Sequence, residues 1–184
     1  TSFEMGEYGR TVSSFEHACK IGPIPVDSWR IYLNALAYQN EHHKLIRVSE
    51  RYLERFGPDD EVSFLLGVSL YKLGQYLTAV AKFSETLAED PKNCEAMYWY
   101  GLTLLALERF SEAITAFETV EDCVPDDFQA WYHHAKALTA RHEYQKAEFI
   151  IKHSLQISEK EFDSWYLLAT IQVSLNRYSD ALNS

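Results

Sequence analysis

The sequence predicts an all-α fold, an α-solenoid of stacked antiparallel helix pairs, and three observations predict it. Residues recur in register every 34 positions along the chain of 184. Within each period, apolar residues return at three- and four-residue steps, the spacing of one helix face. Gly and Pro, at 7 and 5, are too few for many strands joined by tight turns. Apolar residues make up 47% of the chain, so it is globular and can bury a core.

The period is read from several columns at once. Trp29, Trp131 and Trp165 are separated by 102 and 34 residues, and 102 is three periods. Small residues keep the same beat in Gly67, Gly101, Ala135 and Ala169, and again in Ala79, Ala113, Ala147 and Ala181. An aromatic column runs through Tyr8, Tyr76, Phe110, Tyr144 and Tyr178, with His42 in the remaining slot. Phe15, Phe83 and Phe117 form another, continued by Ile151. Pro23, Pro91 and Pro125 punctuate, as does Gly57-Pro58.

Taken in order, residues 1–25 read as a partial repeat, 26–59, 60–93, 94–127 and 128–161 as full repeats, and 162–184 as a second partial one. The unit from 60 to 93 is the clearest. Its apolar steps run on both sides of "KLGQ", Gly74 marks the turn between two helices, and Asp90-Pro91 ends the second. Asn93 is the expected N-cap of the next unit, with Glu95 in its first turn. Asp59-Asp60-Glu61 and Asp126-Asp127 take that part elsewhere, where acids meet the positive end of the helix dipole. Residues 26–59 depart most: Leu33 and Leu45 replace small residues and Ser49 replaces the aromatic, so wider helix packing is expected there. Thr1 falls inside a first helix and Ser184 inside a second, which predicts a piece of a longer array.

These columns resemble the tetratricopeptide repeat (TPR) family, whose signature is W-x2-L-G-x2-Y, then A-x3-F, then P. Leu66-Gly67, Ala79, Phe83 and Pro91 match it, as do Gly101, Phe110, Ala113, Phe117 and Pro125, then Trp131 with Ala135 and Trp165 with Ala169. The resemblance spans essentially the whole chain. It implies a right-handed superhelix whose first helices line a concave groove that holds a peptide or partner helix.

Composition excludes several functions. A formal net charge of −10, with no cluster of Lys and Arg evident, argues against nucleic acid and against anionic lipid. No apolar run is long enough to span a bilayer, and no signal-peptide pattern opens the chain. Cys19, Cys94 and Cys123 are odd in number and lack C-x-x-C spacing, which predicts neither a disulfide framework nor a zinc ribbon; a reducing compartment, the cytoplasm, is expected.

Nor do the histidines in "WYHHAKAL" point to chemistry. His134 sits before the small Ala135, where the family usually has Leu, and reads as a core histidine. His133 points about 100° away around the helix and cannot share its metal ion. None of the seven histidines has a His, Cys, Asp or Glu three or four residues away. No G-x-S-x-G elbow, phosphate-binding loop or dinucleotide fingerprint is present, so the expectation is no enzyme, no cofactor and no metal. The least favoured alternative is a metalloprotein or enzyme using His133, His134 or His153.

Helical geometry then selects the residues facing the implied groove. One column runs Arg30, Phe64, Tyr98, Tyr132, Tyr166; the next turn gives Asn34, Val68, Leu102, Lys136, Thr170; the third gives Ala37, Tyr71, Leu105, Thr139, Val173. Trp99 and His133 sit beside this ladder, and Asp27, Glu61, Glu95, Gln129 and Asp163 form its rim. The candidate partner site is therefore Phe64, Val68, Tyr71, Tyr98, Trp99, Leu102, Leu105, Tyr132, Lys136 and Tyr166, with Glu61 and Glu95 selecting basic flanks. A clamp for a terminal carboxylate, which Arg30 and Asn34 would begin, is not continued, because Leu65, Glu95 and Trp99 occupy its later positions. The predicted partner is an apolar or amphipathic protein segment. Self-association through the groove or the open ends is the alternative.

Overall fold

The computed structural model describes residues 2–21 and 24–176; Pro23, Tyr178 and Ala181 lie outside them. Ten α-helices make up the described residues: α1 (Ser2–Ile21), α2 (Val26–Tyr38), α3 (His42–Phe56), α4 (Asp60–Lys72), α5 (Tyr76–Glu89), α6 (Cys94–Ala106), α7 (Phe110–Cys123), α8 (Phe128–Ala140), α9 (Tyr144–Ile157) and α10 (Phe162–Ser174). From α2 onward the first helix of every pair starts 34 residues after the last, and so does the second helix from α3 to α9.

The chain divides into two compact units, Thr1–Pro91 and Lys92–Ser184. In the first, consecutive helices pack on one another and α2 also touches α4. In the second, consecutive helices again pack in order, and α6 meets α8 while α8 meets α10. First helices thus lie side by side within each unit, with second helices behind them.

Local chemistry sets three of the helix starts and the turns. Asp59, Asn93 and Asp127, one period apart, cap α4, α6 and α8 by accepting from the backbone N–H of Val62 (3.1 Å), Ala96 (2.9 Å) and Gln129 (2.9 Å). Asn40, Gly74, Glu108, His142 and Asn176, also one period apart, hold positive φ of 56°, 75°, 58°, 62° and 58°. At the first four, the next residue's N–H reaches back to the carbonyls of Leu36, Leu70, Leu104 and Leu138 at 2.9–3.0 Å. This is the Schellman closure, in which a left-handed residue lets the chain reverse.

Packing between paired helices is a matter of volume. A Cβ at Gly67 would lie 2.8 Å from Cε1 of Phe83, and one at Gly101 would lie 2.9 Å from Cε1 of Phe117. Glycine is needed there because a full phenyl ring fills the space. In the following pair, Ala135 faces the same column as the smaller Ile151, and both are fully buried. In the unit expected to pack differently, Leu33, Leu45 and Ser49 are all fully buried.

One expectation is overturned. Cys94, at the start of α6, and Cys123, at the end of α7, form a disulfide, with their Cα atoms 6.2 Å apart. Antiparallel helices bring a first residue beside a last one, here 29 positions on, which a rule about neighbouring cysteines does not see. A paired Cys94 and Cys123 no longer point to a reducing compartment.

Candidate functional site

In the first unit, Phe64, Val68 and Tyr71 on α4 are half-buried. Phe64 leans on Phe83 with ring centroids 6.2 Å apart, and Tyr71 on Tyr76 at 5.4 Å. Burial pushes the Tyr71 hydroxyl above its ordinary range. The rim here is occupied by the protein itself. Arg30 donates to Asp59 Oδ2 through Nη2 at 2.6 Å and Nε at 3.2 Å, and Tyr52 donates to the same oxygen at 2.7 Å. Burial opposes the charge on Asp59, but bonds from Tyr52, Arg30 and the Val62 N–H outweigh it and hold the carboxyl below its usual value. Asn34 donates to Glu61 Oε1 at 3.1 Å, and Arg30 Nε is 4.0 Å from Glu61 Oε2. Glu61 thus joins this network while its side chain stays exposed.

The second unit gathers more of the predicted site. Tyr98 and Trp99 on α6 are half-buried, with rings edge-on at 6.2 Å. Tyr98 also meets Phe117 at 6.2 Å and His133 at 6.0 Å, and its hydroxyl donates to Gln129 Oε1 at 3.3 Å. His133 lies flat over Phe117 at 5.9 Å and edge-on to Tyr132 at 4.9 Å. Its Nδ1 is buried without a partner among the described residues. Burial first, and Lys136 second, push its pKa down to about 4, so it is a neutral aromatic plate at neutral pH. Burial likewise raises Tyr132.

Leu105 is half-buried, while Lys136 and Glu95 are exposed. Tyr166 on α10 is 68% exposed and stacks with Phe162, itself 76% exposed. Leu102 is nearly buried, at 8% exposure. Between α8 and the start of α10 the surface dips into a hollow of about 290 Å³ that Tyr132, His133, Lys136 and Asp163 help to line.

His134 is buried as a core histidine, and the partner it found was not foreseen. Its Nδ1 donates to Glu121 Oε1 at 2.8 Å, with both side chains nearly inaccessible. Glu121 lies 13 residues back, on the preceding helix, and only its place on the inward face of α7 could have signalled it. His153 stacks on Trp131 at 4.0 Å. Among the described residues no three or more His, Cys, Asp or Glu side chains are placed to hold a metal ion, and no helix is long and apolar enough to cross a membrane.

Two overlapping stretches, residues 38–120 and 82–154, match the profile of the family described as "Anaphase-promoting complex, cyclosome, subunit 3", together more than half of the chain. The chain belongs to that family. Its fold is of tetratricopeptide-repeat type. MamA from Desulfovibrio magneticus RS-1, residues 41 to the end, is similar at 20% identity, with a TM-score of 0.82 over 86% of this chain and 89% of that one. A tetratricopeptide repeat protein from Parabacteroides merdae ATCC 43184 is similar at 16% identity, with a TM-score of 0.81 over 98% of this chain and 72% of that one. No curated protein sequence matches the chain.

Proposed function

We propose that this chain is a non-catalytic protein–protein interaction scaffold. It receives an apolar or amphipathic segment, flanked by Lys or Arg, on the face that α6, α8 and α10 form in the second unit. The observation that carries this reading is the unbroken run of rings from Trp99 through Tyr98 and His133 to Tyr132, with Tyr166 and Phe162 exposed on α10. Rigid aromatics bury large areas at little entropic cost and serve as interface anchors. The exposed acids Glu95 and Asp163 flank the run and favour a basic ligand. That the family takes its description from a subunit of a multiprotein complex supports an assembly role.

A second reading is self-association, favoured by the apolar exposure of Phe162, Tyr166 and Val173 on α10. One experiment addresses both. The intact chain and a variant carrying Glu95→Lys, Lys136→Glu and Tyr166→Ala, all at exposed positions, are compared as baits in extract of the source cell. Both are also weighed by analytical ultracentrifugation. A partner retained by the first bait and lost from the second supports the groove reading, and equal retention moves the contact surface elsewhere. A dimer that dissociates in the variant, with no other partner, establishes the self-association reading.

A further inference from the structure

The chain reads as poor in clustered cations, yet the fold assembles a cluster in the first unit. Lys44, Arg47 and Arg51 fall one stripe apart on α3, which places them along a single face with Val48. They wall a hollow of about 410 Å³ whose floor is aromatic: Phe15, Trp29 and Tyr32. Phe15 lies flat on Tyr32, centroids 4.1 Å apart, and edge-on to Trp29 at 5.2 Å.

The charges on this wall are unequal in standing. Lys44 is ion-paired with Glu16 and holds its Nζ 5.9 Å from the centre of the Tyr32 ring. Arg47 and Arg51 are exposed and make no ion pair among the described residues. Glu50 and Glu54, the nearest acids along α3, line a separate hollow with Leu66 and Lys82. Glu16 also lines the hollow, so three cations meet one carboxylate there and the wall stays net positive over a floor of rings, in a chain whose net charge is −10. Trp131 and Trp165 give their indole N–H to backbone carbonyls at 2.8 Å, whereas Nε1 of Trp29 is buried with no partner among the described residues.

We propose that this hollow binds an acidic peptide segment, with an aromatic side chain seated on Phe15, Trp29 and Tyr32 and a neighbouring side-chain anion held by Arg47 and Arg51. Guanidinium forks one helical turn apart match carboxylate or phosphate oxygens in pairs. Flat rings take another ring by offset or edge contact. The volume suits one aromatic residue with its neighbours. A long polyanion such as nucleic acid meets repulsion from the rest of this acidic chain, so the anion must be short and local. The site is separate from the face of α6, α8 and α10, and neither reading depends on the other.

The test is fluorescence polarisation with three labelled peptides of one length. The first carries Asp-Asp-Phe-Asp, the second replaces Phe by phosphotyrosine, and the third replaces each Asp by Lys. The intact chain is expected to bind the first two and not the third, more weakly as salt rises. Tighter binding of the second identifies phosphate as the preferred anion. The variant Arg47→Gln, Arg51→Gln keeps the stems and is expected to lose at least about tenfold in affinity. The variant with Glu95→Lys, Lys136→Glu and Tyr166→Ala is expected to bind as the intact chain does. Equal binding of the lysine peptide, unchanged affinity after both arginine changes, or no binding of any peptide at millimolar concentration each overturns the proposal.

Discussion

Adjacent histidines at 133 and 134 show how one helical step separates two fates. His133 stands among rings with its Nδ1 unpartnered, while His134 turns inward and meets the carboxylate of Glu121 at 2.8 Å. A buried side-chain hydrogen bond is costly to break and cheap to replace as a whole, because breaking it strands one polar group while replacing both removes the desolvation cost. Glu121→Ala alone is therefore expected to lower unfolding free energy by about 2–4 kcal/mol, measured by urea titration. Glu121→Leu with His134→Leu is expected to lie within about 1 kcal/mol of the intact chain, or above it. A double variant as unstable as the single one would mean that the pair itself is needed.

Elements were more legible in the sequence than contacts were. Columns of small and aromatic residues gave the helix starts because every unit must solve the same packing problem: Gly67 against Phe83, and Gly101 against Phe117. Four of the five turns carry no glycine, yet Asn40, Glu108, His142 and Asn176 adopt the left-handed conformation that Gly74 announces. Nothing in a Glu signals that state, and Asn and His carry only a mild preference for it. Pairings across helices were equally hidden, since Cys94–Cys123 and His134–Glu121 depend on which residues an antiparallel reversal brings level. The strained turns make a prediction. A left-handed non-glycine residue costs about 1–2 kcal/mol, part of which glycine returns as unfolded-state entropy. Glu108→Gly and His142→Gly are each expected to raise stability by about 0.5–1 kcal/mol in thermal unfolding, whereas alanine at the same positions gives no gain. A loss on glycine substitution would show that the side chains, not the backbone, decide the turn.

At the scale of the whole molecule, the two compact units differ in how they are held. The first is knit by aromatic packing of Phe15, Trp29, Tyr32 and Tyr52 and by the Arg30–Asp59–Tyr52 network. The second holds two complete helix pairs and α10, close to the minimum for a repeat array, since each unit of such an array buries its apolar face only against its neighbours. Its disulfide joins residues 29 apart, and closing a loop of that length is worth about 3.6 kcal/mol against the unfolded chain. A staple of this size decides the outcome for a small helical core. Residues 92–184 expressed alone are expected to unfold cooperatively by circular dichroism when oxidised. Reduction, or Cys94→Ser, is expected to shift the urea midpoint sharply downward or abolish the transition. In the intact chain the same reduction lowers stability only over the second unit, which amide exchange resolves helix by helix, with α6 and α7 losing protection first. Undiminished cooperativity after reduction would mean that the apolar core of α6 to α10 suffices without the covalent link.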